Sequence, residues 1–219
     1  MFKKMMTAAV AALCCIAPVS CEKSAENSEV SASVEIPEEG VGDVVEPETG
    51  SEEFDLGNYR MSHNGIKLYY DDADVPTDLM LVLEKYFTSY EKHDFETYKT
   101  CVFPGYTEKM DSYLQKEYEY DVNTSFEKQC DNIKDMAGDE YTITRIRAVP
   151  AEEGDPEKFF SYLNDIFETD YYKEVQENSD KLHDLMFYVM AEVNGEEVLI
   201  IEDYEIVFAE KDGAFYTFG

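Results

Sequence analysis

Few side chains in this sequence have an ordinary pKa near neutrality. They are three histidines, His63, His93 and His183, and five cysteines, at positions 14, 15, 21, 101 and 130. A histidine serves as a general base when a carboxylate orients it and the pair faces a substrate. His93 precedes Asp94, but it falls where a long helical pattern ends, and the negative end of the helix dipole already explains a cation there. His63 lies in an Asn-Gly turn and His183 at the start of a strand, so both read as surface residues. Aspartates and tyrosines are plentiful, yet no spacing singles out a pair. The chain has no G-x-S-x-G turn, no H-E-x-x-H helix and no phosphate loop. The expectation is no catalytic residue and no cofactor-binding residue.

Metal chemistry has one opening, the stretch DDAD at 71–74. Asp72-x-Asp74 begins like a calcium loop, but the glycine and the distal glutamate do not follow at the required spacing. Asp74 fits better as the cap of the next helix, so no metal site is expected. Cys101 and Cys130 lie on two different predicted helices. In an oxidising compartment an even pair permits a disulfide; the other reading is two small buried apolar side chains, and the sequence leaves both open. The 17 tyrosines without a tryptophan raise carbohydrate stacking. Most of them, such as Tyr86, Tyr90 and Tyr204, sit at core spacing, which leaves YYKEVQE (171–177) and FPGY (103–106) as the stretches for an exposed aromatic surface.

The remaining cysteines crowd into LCCIAPVSC, residues 13–21. A zinc site would want polar flanks and paired ligands, whereas these are flanked by Leu13 and Ile16, and no histidine precedes His63. Lys3 and Lys4 lead into an uncharged run from Met5 to Ser20, which is short of the roughly 20 apolar residues that span a bilayer. Two lysines, an apolar stretch and a small-residue exit are the parts of a bacterial export signal. Its end, PVSC, resembles the lipobox of bacterial lipoproteins, with Ser20 and Val19 in the two positions before the cysteine. That resemblance implies a signal peptide over 1–20 and a lipid on Cys21. It places the protein outside the cytoplasm, anchored to the bacterial cell membrane, or secreted if the lipid is not added.

The formal charge of −31 excludes nucleic acid as a partner, because such a surface repels polyanions at long range. Residues 22–55 hold twelve acids against one lysine, with Ser, Pro, Gly and Val and almost no aromatics. Such a composition cannot offset the entropy of ordering, so 21–55 is expected to be a disordered acidic tether, on the order of 30 Å end to end.

Residues 56–219 carry the folding signals. Asn64-Gly65 suggests a type I′ hairpin within 58–70. Leu79, Val82, Leu83, Tyr86, Phe87 and Tyr90 repeat with helical period and give one wide apolar face. Further helices are expected at about 95–102 and 107–118. Another has Thr124 and Glu127 in capping-box spacing, an inner face of Phe126, Cys130, Ile133 and Ala137, and Gly138 at its exit. YTITRIRAV (141–149) reads as a strand, and Asp155-Pro156 opens another helix. The chain closes in a three-stranded meander, with Asn194-Gly195 and Asp212-Gly213 as hairpin turns.

This order predicts an α+β fold with helices packed on a curved antiparallel sheet. It resembles the NTF2-like (cystatin-like) superfamily in LMLVLEKYFTSYEKHDFETYKTCVFP, DEYTITRI and the closing EDYEIVFAEKDGAFYTFG. The resemblance covers most of 75–219 and implies a cone, with a helical insertion near 155–180. It leaves function open, since such domains include isomerases, hydrolases and pure binding modules. The expected function is non-catalytic binding of a small ligand or an envelope protein. The alternative is an NTF2-like isomerase or hydrolase using a carboxylate and a tyrosine inside the cone.

Overall fold

In a computed structural model of the chain, residues 35–51, 53–152 and 155–219 are described. The expected signal peptide and Cys21 lie outside these residues.

Alternation of side chains builds the sheet. In β5 (Lys181–Val193), Leu185, Phe187, Val189 and Ala191 are buried, while Asp184, Met186, Tyr188 and Met190 between them stay partly exposed. A period of two places these sets on opposite faces. β5 pairs antiparallel with β6 (Glu196–Lys211), and β6 with β7 (Ala214–Tyr216). Both expected turns are present, with positive φ at Asn194 and Gly195 (54° and 82°) and at Asp212 and Gly213 (52° and 76°). Two successive left-handed residues are what a type I′ turn needs.

On its other edge β5 pairs antiparallel with β4 (Thr142–Pro150). β4 pairs in parallel with β3 (Lys67–Tyr69), β3 antiparallel with β2 (Tyr59–Ser62), and β2 antiparallel with β1 (Val41–Val45). The described strands follow sequence order in one seven-stranded sheet that does not close. The parallel junction is explained by the chain between β3 and β4, which leaves the sheet as four helices and must cross over to return. The architecture is therefore α+β, with a mostly antiparallel, curved, open sheet.

Those helices are α1 (Thr77–Glu91), α2 (Phe95–Cys101), α3 (Tyr106–Tyr118) and α4 (Val122–Ala137). The apolar face of α1 buries Leu79, Met80, Leu83, Tyr86, Phe87 and Tyr90, and Phe87 meets Phe187 of β5 with ring centroids 4.9 Å apart. Full burial of side chains of this size contributes about 1.5–3 kcal/mol each. Gly138 ends α4 with φ 87°, as expected. In the span expected to be helical, α5 (Pro156–Phe167) and α6 (Tyr171–Glu177) follow β4 and are capped by Asp155 and Asp170.

Four expectations are corrected. The described part of the proposed tether is not all unstructured: Val41–Val45 form β1, and Phe54–Leu56 form a 3-10 turn. Composition undervalued this segment because β1 is held by pairing with β2 rather than by a core of its own. The Asn64-Gly65 hairpin is not type I′, since only Gly65 has a positive φ (79°), and the Gly65 N–H donates to the Ser62 carbonyl at 3.0 Å. α4 starts one turn earlier than the Thr124 cap implied, with the Asp121 carboxylate accepting the Thr124 N–H at 2.7 Å. Asp74 does not cap α1; Pro76 occupies that position.

Candidate ligand-binding groove

One face of the sheet is covered by helices, and Leu68, Leu79, Leu83, Ile146, Phe187 and Val189 fill the space between. The interior expected to hold a reactive pair is thus occupied by packing. Tyr86 and Tyr90 lie there too, hydrogen-bonded to each other at 2.9 Å, and burial drives both phenols well above their ordinary pKa. They are neutral structural donors rather than bases.

The other face carries the polar members of the same strands. Strand register sets two rows across it. Tyr69 of β3 lies opposite Arg147 of β4, which lies opposite Tyr188 of β5. Lys67 lies opposite Arg145, then Met190, then Leu199 of β6. Tyr59 of β2 extends the first row, its ring centroid 5.3 Å from that of Tyr69. Leu56, on the 3-10 turn, lines two adjoining clefts. One is 210 Å³, over Tyr69, Arg145, Arg147, Tyr188, Met190 and Leu199; the other is 560 Å³ and runs out past Tyr59 and Arg60 to Asp71 and Asp72.

Basic side chains line this groove. The sequence has three arginines, and all of them line these clefts. Arg60 is held by Asp72 at 2.7 Å and the Gly42 carbonyl at 3.2 Å, and Arg145 by Glu197 at 2.5 Å. Lys67 pairs with Glu53. Arg147 differs: it is exposed, its guanidinium lies 5.9 Å from the centre of the Tyr188 ring, and no carboxylate among the described residues pairs with it. Tyr188 is fixed from its far end, its hydroxyl donating to Asp203.

Beside Arg147, Tyr69 is 3% exposed and its hydroxyl has no hydrogen-bond partner. Burial, and then the nearby Glu53 carboxylate, push this phenol up to about 12, so it is a neutral O–H donor across the physiological range. A buried, unpaired hydroxyl costs roughly 1–3 kcal/mol. A free guanidinium fork, an unused donor and the apolar flanks of Leu56, Met190 and Leu199 together can hold an anion attached to an apolar body. They supply no nucleophile and no general base.

The residues singled out from sequence fall elsewhere. His63 is exposed in the β2–β3 turn. His93 is exposed, with Nδ1 2.7 Å from Glu127 Oε2. His183 is not a surface residue: it is 8% exposed, packs edge-on to Phe215 and bonds to Glu210 at 3.0 Å. In DDAD, Asp71 accepts the Ala73 N–H at 2.9 Å and Asp72 pairs with Arg60, which makes a turn on the groove's outer rim. Cys101 and Cys130 are both buried and both free thiols; burial raises the pKa of each, Cys130 to about 12. The two stretches expected to expose aromatics bury them instead, with Tyr171, Phe103 and Tyr106 all in the core around Phe218.

Two further carboxylates have unusual surroundings. Glu84 of α1 is 1% exposed and accepts from Ser62 Oγ at 2.6 Å and Asn64 Nδ2 at 2.9 Å, tying the β2–β3 turn to the helix. Asp184 has both carboxyl oxygens buried without a donor; burial, then Glu205, then Asp155 raise it to about 6. It lies on the sheet face away from the filled interior.

Sequence reasoning missed Arg145, Arg147 and Tyr69. The signal was present in part, since T-R-I-R and K-L-Y alternate charged or aromatic residues with buried ones. Comparison with known protein families, with curated proteins and with solved structures returns no match. Among the described residues no helix is long and apolar enough to cross a membrane.

Proposed function

We propose that this protein is an extracytoplasmic binding domain, tethered to a bacterial membrane through a lipid on Cys21, which captures a small anionic ligand without transforming it. The ligand class is a carboxylate on an apolar or aromatic body. The observation that carries the reading is the pairing of Arg147, without an acid, and Tyr69, with a buried free hydroxyl, in one groove. The sign of the ligand follows from contrast: in a chain of 49 acids and 18 bases, Arg145 and Arg147 stand on this face and Arg60 reaches the rim of the larger cleft. Long-range repulsion from the remaining surface then excludes highly charged anions and favours ligands with one acid group and much apolar area.

The NTF2-like plan is proposed on the order of elements, with helices first, helices again after β4, and a closing meander. The isomerase or hydrolase alternative needs a proton-transfer group inside the cone. Asp184, the carboxyl raised towards neutrality, faces away from that interior, and Glu84 is bound to Ser62 and Asn64.

Calorimetric titration of the full chain with octanoate and benzoate, against octanamide and benzamide, tests the ligand class. Binding of the acids and not the amides is expected; equal behaviour of the two sets contradicts it. Mass spectrometry of the membrane-extracted N terminus tests the anchor, which fails if the mature chain begins at an unmodified residue other than Cys21.

A further inference from the structure

We infer that His93, Glu127 and Cys130 form a binding site for a divalent cation of the zinc type, where the α1–α2 corner meets α4. The imidazole nitrogen, a carboxylate oxygen and the sulfur all lie within 4.8 Å of one another. The site is separate from the groove, and neither depends on the other.

Local structure brings the three together. Glu127 and Cys130 are three residues apart on α4, hence stacked on one helix face. His93 arrives from the turn that ends α1, where the Asp94 N–H returns to the Ser89 carbonyl at 2.8 Å. That six-to-one closure puts its penultimate residue in the left-handed region, and His93 has φ 52°. Glycine is the residue such a turn prefers, and a β-carbon there costs roughly 1–2 kcal/mol. α3 and α5 also end on left-handed residues other than glycine, Glu119 and Glu168, so the backbone conformation does not by itself select histidine. Its side chain does: it places Nδ1 at 2.7 Å from Glu127 Oε2, beside the buried sulfur.

The donor set chooses the metal. A thiolate, an imidazole and one carboxylate suit zinc and its close relatives, whereas calcium and magnesium want shells of oxygen. Cys130 is fully buried, Glu127 half-buried and His93 exposed, so the sulfur forms the floor and the imidazole the mouth. Three protein ligands leave a fourth tetrahedral position for water. Binding exchanges two protons for the metal, the S–H proton of Cys130 and the proton held between His93 Nδ1 and Glu127 Oε2. The first leaves to solvent and the second to solvent or to Nε2 of the same ring, and the freed sulfur, nitrogen and oxygen lone pairs bind the cation. A metal so placed would pin the α1–α2 corner to α4. It is also incompatible with a Cys101–Cys130 disulfide, because the same sulfur cannot serve both.

Cobalt is the probe, since a cobalt–thiolate bond gives a near-ultraviolet charge-transfer band that carboxylate or imidazole ligation alone does not. The full chain carrying Cys14→Ser, Cys15→Ser and Cys21→Ser, reduced and then freed of reductant, is titrated with Co²⁺. The expected result is one cobalt per chain with that band, displaced by Zn²⁺. Cys130→Ala abolishes the band, while Glu127→Gln and His93→Ala each weaken binding by about tenfold or more. Cys101→Ser leaves it unchanged. Circular dichroism on each variant separates lost ligation from lost folding, and Glu127→Gln preserves side-chain shape where Cys130→Ala removes a buried sulfur. Absence of the band in the folded parent, or its persistence in folded Cys130→Ala, overturns the site.

Discussion

On the covered face of β4 and β5, Ile146, Ala148, Phe187 and Val189 are at most 1% exposed, while on the opposite face Arg145, Arg147, Tyr188 and Met190 reach solvent. The two sets alternate residue by residue along the same strands, so backbone and strand propensity are shared and only the neighbours differ. The covered set meets α1, through contacts such as Phe87 on Phe187. The open set meets a single 3-10 turn and leaves Arg147 without an acid and the Tyr69 hydroxyl without an acceptor. Stability is thus concentrated on one face and unused binding capacity on the other.

The largest test of this division is a pair of substitutions one register position apart. Phe187→Ala should lower unfolding free energy by about 3–5 kcal/mol through lost burial and a cavity. Arg147→Ala should change it by no more than about 1 kcal/mol, as expected for an exposed side chain whose one partner is the Tyr188 ring. Urea denaturation of both variants measures the contrast, and similar losses would erase it. Next in size, Arg147→Ala should weaken octanoate binding by about 1.5–3 kcal/mol, the range of a charge-assisted hydrogen bond, as read by calorimetry.

Tyr69→Phe separates the two faces more finely. It removes a buried hydroxyl that bonds to nothing in the protein, so melting should show stability unchanged or raised by up to about 1 kcal/mol, while ligand affinity falls. A marked loss of stability would show that the hydroxyl has a structural partner. A separate effect concerns pH at the far end of the open face. Asp184 titrates near 6 when folded, above the ordinary aspartate value, so the folded state holds its proton more tightly than the unfolded chain does. Its stabilising contribution is present below about pH 4 and is lost as pH rises through about 6. Asp184→Asn should remove that part of the slope in a comparison of stability against pH with the parent, and parallel curves would contradict it.

Legibility in the sequence followed how local each determinant is. The Asn194-Gly195 and Asp212-Gly213 turns, the apolar face of α1 and the Asp155-Pro156 start of α5 are fixed by neighbours a few residues away, and the structure has all of them. β1 was not legible, because Val41–Val45 sits among acids, prolines and glycines and gains its order from β2. The groove was half legible. Arg145 and Arg147 visibly share a strand face, but the placing of Tyr69 beside Arg147 depends on a parallel pairing reached only after four intervening helices. YYKEVQE misled for the same reason: Tyr171 has the appearance of a surface aromatic until α5 and Phe218 close around it.

The central claim is that Arg147 is the anion receptor of an otherwise acidic protein. Three arginines mean three side-chain Nε–H signals in a nitrogen-15 correlation spectrum, assignable by single Arg→Lys variants. On titration of the full chain with octanoate, the Arg147 signal should move most, the ion-paired Arg60 and Arg145 signals should move less, and octanamide should leave all three in place. If octanoate shifts none of them, or shifts Arg60 and Arg145 while Arg147 stays still, the groove is not the binding site described.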